Sequence, residues 1–238
     1  MKQEFTYLWI NFFTIIFPLI FSFHPRIRFY RKWKHLFPGL LMVAAFFIIW
    51  DMIFTRMGIW YFNPLMVTGI KIGNLPLEEV LFFITIPYSC VFLYEAVSTV
   101  LKPEKVQVPS QIIFYLLLAF LIVVGILNFD KLYTFTTFYL LAVYLLISKF
   151  LIKVKFWNVA IVSYIILLIP FFLVNGYLTG MFTEEAVVLY NNQENLGIRM
   201  GTIPVEDTFY GLLLFLLNVS FFEYFKKSSV SKPEVLFG

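Results

Sequence analysis

The stretch GIKIGNLPLEE at residues 69–79 recurs 128 residues later as GIRMGTIPVED at residues 197–207. The alignment needs no gap, and two glycines, an isoleucine, a proline and a glutamate are identical in the two copies. The copies also keep a basic residue at the third position and an acidic residue at the last. Chance similarity between apolar helices would match Leu and Phe residues, but it poorly explains this mixed string. The sequence therefore predicts an internal duplication.

The composition indicates that the duplicated chain is a membrane protein. Of its 238 residues, 61% are hydrophobic and only 13% are charged, and the mean hydropathy is +0.86. A soluble domain typically has about 45–50% apolar and about 25% charged residues, so this chain lacks the polar residues needed to cover its surface in water. The composition excludes a soluble enzyme, a disordered chain and a nucleic-acid-binding protein. It predicts an all-α, polytopic membrane protein.

About seven runs are apolar and long enough for a membrane-spanning helix, which needs ~20 residues. The repeated string opens the third and the seventh run, so the duplication relates two units of three spans each. The fourth span restores the direction of the second unit, which gives a 3+1+3 arrangement of two parallel repeats. The predicted spans are Phe5–Phe23, Pro38–Phe54 (the shortest), Leu77–Val97, Gln111–Phe129, Leu132–Ile152, Trp157–Leu178 and Val205–Phe225.

The domain division follows the repeats, and the basic residues predict the orientation. We expect a first repeat at residues 1–100, a linking transmembrane helix at 101–130, a second repeat at 131–226 and a cytoplasmic tail at 227–238. Thirteen of the 18 Lys and Arg residues fall on one side of the spans, and the positive-inside rule places that side in the cytoplasm. The protein is therefore expected in the cell membrane with its N-terminus outside and its C-terminus cytoplasmic.

Each copy of the string ends in a pair of acidic residues that follows a proline at the start of a span. Proline suits the first turn of a helix, and acidic residues there complement the helix dipole. A well-made helix start would need no chemistry, but an ionised carboxylate within a span costs up to ~2.5–3.5 kcal/mol. Because the pairs recur in both copies, we interpret them as functional. The motif residues are Pro76, Glu78 and Glu79 in the first copy and Pro204, Glu206 and Asp207 in the second.

The motif P-x-E-[ED], its glycine-rich lead-in and the aromatic stretch IWYFNP at residues 59–64 resemble the membrane-integral lycopene cyclase domain. That domain occurs as two small subunits in some carotenoid-making bacteria and as a fused tandem elsewhere, and this chain is similar to the fused form. The second copy differs in having a longer, more polar loop at residues 181–195 and no Trp that matches Trp60. The resemblance implies carotenoid biosynthesis, with the four motif acids as catalytic residues.

The implied reaction, closure of the ψ-end of lycopene into a ring, is an isomerisation. It needs an acid to protonate a terminal double bond, a pocket that tolerates a cation, and a base. An apolar environment keeps a glutamic acid neutral and ready to donate a proton. Adjacent residues on a helix point about 100° apart, so the two acids of a motif cannot face one site equally. Glu78 and Glu206 are predicted to be the primary acids because they are identical, with Glu79 and Asp207 as bases or supporting partners.

Several further residues are predicted to contact the substrate. Aromatic rings can stabilise a desolvated cation by ~2 kcal/mol, although Trp and Tyr also form interfacial belts in membrane proteins. Asp51 and its repeat counterpart Asn175 lie near the outer ends of spans 2 and 6, and a carboxylate within a span is a functional candidate. An ion pair of Asp51 with Arg56 is the alternative. The predicted substrate-binding residues are Trp60, Tyr61, Phe82, Tyr210, Asp51 and Asn175.

Other functions fit the sequence less well. A proton-coupled small-solute transporter shares the 3+1+3 plan, but it would need polar residues along the whole path. No dinucleotide or phosphate-binding motif and no metal-ligand spacing is present, although the sequence leaves a flavin or nicotinamide activator open. It also leaves open the oligomeric state, lycopene or a C50 carotenoid as substrate, the ring type (β, ε or γ), the number of sites and whether both ends are cyclised. The expected partners are a lipophilic carotenoid, the lipid bilayer and other membrane enzymes of the same pathway, but no nucleic acid.

Overall fold

The computed structural model describes residues 3–101 and 108–230. The described chain is a bundle of seven long helices with three short two-stranded sheets on one side. The first and second helices are each preceded by a 3₁₀ turn, Gln3–Phe5 and Phe29–Lys32 respectively, and a π-helical turn, Ile147–Leu151, follows the fifth helix. The helices are α1 Thr6–Phe21, α2 Trp33–Met57, α3 Leu77–Leu101, α4 Ser110–Leu127, α5 Leu132–Leu146, α6 Trp157–Leu178 and α7 Val205–Val230.

The prediction of seven membrane-spanning helices is confirmed, since seven described helices are long and apolar enough to cross a bilayer. The prediction that the second span is the shortest is wrong. With its leading turn it is the longest, Phe29–Met57. Pro38 lies inside α2, where it removes only one backbone hydrogen bond. Lys34 and His35 continue the helix beyond the apolar run, because such side chains can keep their polar ends at the membrane surface.

Part of the sequence on which the topology depends lies outside the described residues. This applies to Lys2, Lys102, Lys105 and Lys232 and to the predicted tail from residue 231 onward. Within the described part, α7 continues to Val230, beyond the predicted end of its span at Phe225.

The duplicated string folds in the same way in both repeats. In the first copy, β2 (Lys71–Ile72) pairs with β3 (Leu75–Pro76), and in the second copy β5 (Arg199–Met200) pairs with β6 (Ile203–Pro204). The hairpin turns begin at Gly73 and Gly201, whose φ angles of 65° and 67° explain why glycine is kept there. The third helix of each repeat begins directly after its hairpin, so the acidic pair lies in the first helical turn.

A third strand pair joins the two repeats. Strand β1 (Trp60–Phe62) pairs antiparallel with β4 (Val188–Tyr190), with Tyr61 opposite Leu189. The repeat offset of 128 residues carries Tyr61 onto Leu189, Trp60 onto Val188 and Phe62 onto Tyr190. The pairing is therefore symmetric, and the pseudo-twofold axis passes through the pair Tyr61–Leu189.

Helix packing also crosses between the repeats. Within each repeat the first helix packs on the third, α1 on α3 and α5 on α7. The second helix contacts the third helices of both repeats, and it contacts that of the other repeat more extensively: α2 packs on α7 and also on α3, and α6 packs on α3 and also on α7. The linking helix α4 packs mainly against α5. The two repeats thus form one interlocked bundle, with α3 and α7 at its centre.

At the end of the bundle opposite the hairpins, ion pairs join three elements. Glu95 of α3 is buried and forms ion pairs with Lys32, in the turn before α2, and with Lys226 of α7. Lys226 also contacts Glu223 on its own helix at 3.2 Å. Separating these helix ends would leave the buried charge of Glu95 unpaired, which is strongly unfavourable. The ion pairs therefore hold the ends of α2, α3 and α7 together.

Candidate active site

An apolar cavity lies between the two repeats, and residues of both repeats line it. Its polar end lies beside the hairpins, where Glu79 from the first repeat and Asp207 from the second both line it. Along α3 the cavity extends from Glu79 to Cys90, a rise of ~16 Å at 1.5 Å per residue. Pro170 of α6 is exposed on the outer surface of the bundle and also lines the cavity, so the cavity opens toward the bilayer there.

Each of these two acids accepts a hydrogen bond from a tyrosine on the first helix of its own repeat. The hydroxyl of Tyr7 donates to Glu79 Oε2 at 2.5 Å, and that of Tyr133 donates to Asp207 Oδ1 at 2.6 Å. Both tyrosines are the second residue of their helix. Their backbone N–H groups bond to equivalent loop carbonyls, those of Met66 and Glu194. The repeat thus fixes one tyrosine–acid pair on each side of the cavity.

Asp207 has a second partner that Glu79 lacks. The hydroxyl of Tyr190 in β4 donates to Asp207 Oδ2 at 2.9 Å, so both oxygens of Asp207 accept hydrogen bonds. Burial, followed by the charge of the adjacent Asp207, raises the pKa of Tyr190 well above its usual range. Tyr190 therefore keeps its proton and remains a donor.

Glu78 and Glu206 are buried but do not line the cavity. Glu78 Oε1 accepts the Thr68 N–H at 2.8 Å, and Glu206 Oε1 accepts the Leu196 N–H at 2.7 Å and the Thr134 hydroxyl at 2.6 Å. These bonds tie the loop before each hairpin to the start of the following helix. In each motif the second acid thus faces the cavity, and the first contacts the loop before its hairpin. The catalytic roles stay predictions.

Asp51 and Asn175 both line the cavity, as expected for substrate-contacting residues. The indole N–H of Trp60 donates to Asp51 Oδ1, and Asp51 Oδ2 has no hydrogen-bond partner. The alternative of an ion pair with Arg56 is wrong, because Asp51 is 2% exposed and turned inward toward Trp60. Asn175 instead donates to the carbonyl of Phe171 on its own helix at 3.1 Å.

Aromatic rings surround the acids at the polar end of the cavity. The Trp60 ring lies 5.1 Å from that of Tyr133, 6.1 Å from that of Tyr190 and 6.3 Å from that of Tyr210, between ring centroids. Phe82 also lines the cavity, next to Tyr7. Of the predicted aromatic residues only Tyr61 lies elsewhere. Its side chain is 53% exposed, because successive residues of a strand point to opposite faces and Trp60 faces inward.

Sequence reasoning missed the tyrosines that hold the acids, Tyr7, Tyr133 and Tyr190. A signal existed for two of them, since an offset of 126 places Tyr7 on Tyr133 at the start of spans 1 and 5. The third, Tyr190, reaches the site only because β1 and β4 pair. Among the described residues no group of His, Cys, Asp or Glu is arranged to hold a metal ion.

The fold and the cavity define a membrane protein with a buried, acid-containing apolar site. A family model described as lycopene cyclase matches residues 4–97 and 130–225. These two segments cover most of the chain and fall on the two repeats, so the chain belongs to the lycopene cyclase family. Membership supports a cyclase that acts on a carotenoid in a membrane. No curated protein and no solved structure matches significantly.

Proposed function

We propose that this protein closes the ψ-ends of lycopene, or of a related acyclic carotenoid, into β- or ε-type rings by acid–base catalysis, in one site that both repeats form. The observation that carries the proposal is the position of Glu79 and Asp207. These acids come from different repeats, and each accepts a hydrogen bond from a tyrosine hydroxyl. Both face the same apolar, aromatic-lined cavity.

The reaction transfers protons and exchanges no electrons with a partner. A proton adds to the terminal carbon–carbon double bond, and the neighbouring carbon becomes a tertiary cation. The next double bond of the chain attacks that carbon and closes the six-membered ring, which moves the cation to a ring carbon. Loss of a proton from an adjacent carbon restores a double bond, and the choice of that proton sets the ring type.

Glu79 and Asp207 are suited to the later steps of this sequence. Both lie in the first turn of a helix, where the helix dipole favours negative charge, and both already accept hydroxyl hydrogen bonds. Asp207, with both oxygens occupied, is assigned to stabilising the cation. Glu79 has no hydrogen bond to Oε1 among the described residues and is assigned to removing the proton. The rings of Trp60 and Tyr210 add cation–π stabilisation.

The proposal includes the orientation in the cell membrane, with the N-terminus outside and the C-terminus cytoplasmic, and the division into two repeats joined by a linking helix. The hairpins and the acids then lie at the outer side, and the ion pairs of Glu95 at the cytoplasmic side. A solute transporter is less well supported. Its path would need polar groups throughout, whereas the depth of this cavity is lined by residues such as Ile86, Leu167 and Leu214.

The test is expression of the chain in cells that accumulate lycopene, followed by chromatography of the extracted carotenoids. The wild-type protein is expected to give cyclic products. Glu79→Gln and Asp207→Asn are each expected to lower product formation by at least ~100-fold, the usual scale of a lost acid–base group.

Glu78→Gln and Glu206→Gln are the matched comparison. Because these acids brace the loops, their loss should lower the unfolding temperature while the protein that remains folded keeps most of its activity. The amount of each variant in the membrane and its thermal unfolding are measured in parallel. Unchanged lycopene with wild-type protein verified in the membrane would contradict the function. Active Glu79→Gln and Asp207→Asn beside inactive, folded Glu78→Gln and Glu206→Gln would contradict the assignment of the acids.

A further inference from the structure

One carboxyl group of the cavity, that of Asp51, has no role in the steps assigned so far. Asp51 lies in the interior of α2, is 2% exposed and lines the cavity beside Trp60. Its Oδ1 atom accepts the indole N–H of Trp60, while Oδ2 is buried without a partner. Oε2 of Glu78 and Oε2 of Glu206 are also buried without a partner, but only Asp51 lines the cavity. A buried oxygen without a partner needs an explanation, and at the cavity a proton carried for transfer supplies one.

The surroundings of Asp51 differ from those of the two motif acids. Glu79 and Asp207 accept tyrosine hydroxyls and lie at helix starts. Asp51 accepts no tyrosine hydroxyl among the described residues, and it lies six positions before the end of α2, with the hydroxyl of Thr55 beside it. Burying an ionised carboxylate with an unpaired oxygen is strongly unfavourable. Of the three cavity carboxyls, Asp51 is therefore the one best held in the neutral form.

We propose that Asp51 is the general acid of the cyclisation, with Oδ2 carrying the proton that enters the substrate. The inference rests on the proposed function and deepens it. Asp51 also lies at the aromatic end of the cavity, where Trp60 and Tyr210 can receive the cation that protonation creates.

The proton balance closes within the cavity. The Asp51 carboxyl gives its proton to the inner carbon of the terminal double bond. The electrons of that double bond form the new carbon–hydrogen bond, and the outer carbon, which carries two methyl groups, becomes the tertiary cation. After ring closure, Glu79 takes a proton from a carbon beside the cation, and the electrons of that bond form the new double bond. Asp51 and Glu79 line the same cavity, and proton transfer from Glu79 back to Asp51 restores the site. The substrate is isomerised and nothing else is consumed.

The general acid is not duplicated, although the rest of the site is. The repeat counterpart of Asp51 is Asn175, whose amide cannot supply an acidic proton, and Val188 takes the place of Trp60. The two tyrosine–acid pairs are thus symmetric, whereas the donor is present once. The site is expected to protonate one end of a carotenoid in each turnover.

The variant Asp51→Asn isolates the proton from the other contacts of the side chain. Asparagine keeps the size of aspartate and an oxygen that can accept the Trp60 indole N–H, but it cannot donate an acidic proton. We expect cyclisation of lycopene in isolated membranes to fall at least ~100-fold, and Asp51→Glu to recover part of it. Asp130→Asn, in the exposed loop between α4 and α5, is the matched control and should behave as wild type.

A second substrate separates proton donation from shaping of the cavity. The terminal epoxide of lycopene opens with a weaker acid than an alkene needs, so a missing donor should harm its cyclisation less. The ratio of epoxide to lycopene cyclisation is measured within one membrane preparation, which makes it independent of how much variant folds. We expect this ratio to rise at least tenfold in Asp51→Asn.

Two results would overturn the inference. The first is lycopene cyclisation by Asp51→Asn within about threefold of wild type, a difference below 1 kcal/mol, which would reduce Asp51 to a partner of Trp60. The second is an unchanged epoxide-to-lycopene ratio in Asp51→Asn. Both leave wild-type cyclisation intact and so differ from failure of the proposed function, in which wild-type protein converts no lycopene.

Discussion

At the scale of single residues, the site depends on which of two adjacent acids faces the cavity. The first acid of each motif is held by the loop N–H of Thr68 or Leu196, and the second by a tyrosine hydroxyl. The tyrosine hydroxyls orient the carboxyl groups. They are therefore expected to act through Glu79 and Asp207 rather than on the substrate directly.

Removing one of these hydroxyls should weaken catalysis without unfolding the protein. Tyr7→Phe and Tyr133→Phe each delete a hydrogen bond to a carboxyl group, which typically contributes ~1.5–3 kcal/mol. We expect a fall in cyclisation rate of ~10- to 100-fold for each, by the conversion of 1.36 kcal/mol per factor of ten. Tyr139→Phe, with an exposed ring on the outside of α5, is the control. Wild-type rates in both variants would show that the hydroxyls do not position the acids.

Much of the site could be predicted from the sequence, but the direction of the acids could not. The duplicated string identified all four acids, and the outer-end positions of Asp51 and Asn175 placed them beside the cavity. Glu78 was ranked above Glu79 only because it is identical in the two copies, since α3 is apolar on nearly every side and no polar face marks its orientation. The contacts of Glu78 with Thr68, 10 residues away, and of Glu79 with Tyr7, 72 residues away, decide which acid faces the cavity.

At the scale of elements, the strand pair β1–β4 has no clear sequence signal. Each strand has three residues, and the two are separated by 125 residues between Phe62 and Val188. The pairing places Trp60 and Tyr190, which have no equivalents in the opposite repeats, at one site. The helices, in contrast, follow from runs of apolar residues, which is why their number and most of their ends were predicted.

The strand pair can be tested by a cross-link on the symmetry axis. Tyr61 and Leu189 lie directly opposite each other in the antiparallel pair, at a spacing of ~4.5–5.5 Å between Cα atoms that suits a disulfide. In a Cys90→Ser background, the double variant Tyr61→Cys/Leu189→Cys is expected to form an intramolecular disulfide under mild oxidation. Mass spectrometry of proteolytic fragments would detect it. The two single variants are the controls, and a double variant that stays fully reduced would argue against the pairing.

At the scale of the whole molecule, two repeats form one cavity rather than two sites. The second helix of each repeat packs on the third helix of the other, so neither repeat encloses the cavity alone. The cavity is ~16 Å deep along α3, whereas an extended C40 polyene is comparable to the ~30 Å hydrocarbon core. Under the proposed function, one end of such a substrate would occupy the cavity and the rest would lie in the bilayer near Pro170.

A single cavity predicts that the ends of a symmetric carotenoid react one after the other. In a time course with lycopene, a monocyclic product should appear first, and any bicyclic product should follow with a lag. A purified monocyclic carotenoid supplied to the same membranes serves as the reference for the second step. Bicyclic product without an earlier monocyclic species would indicate two sites or a substrate bound at both ends.

The position of the strand pair β1–β4 also bears on what becomes of the cation. A tertiary cation that meets water is captured as an alcohol, and the chain then remains open. The buried side chains of Trp60 and Val188 line the cavity on one face of the pair, and the exposed side chain of Tyr61 lies on the other face. Loosening this pair should divert the reaction from ring closure to hydration, so that a tertiary hydroxylated polyene accumulates in place of the cyclic product.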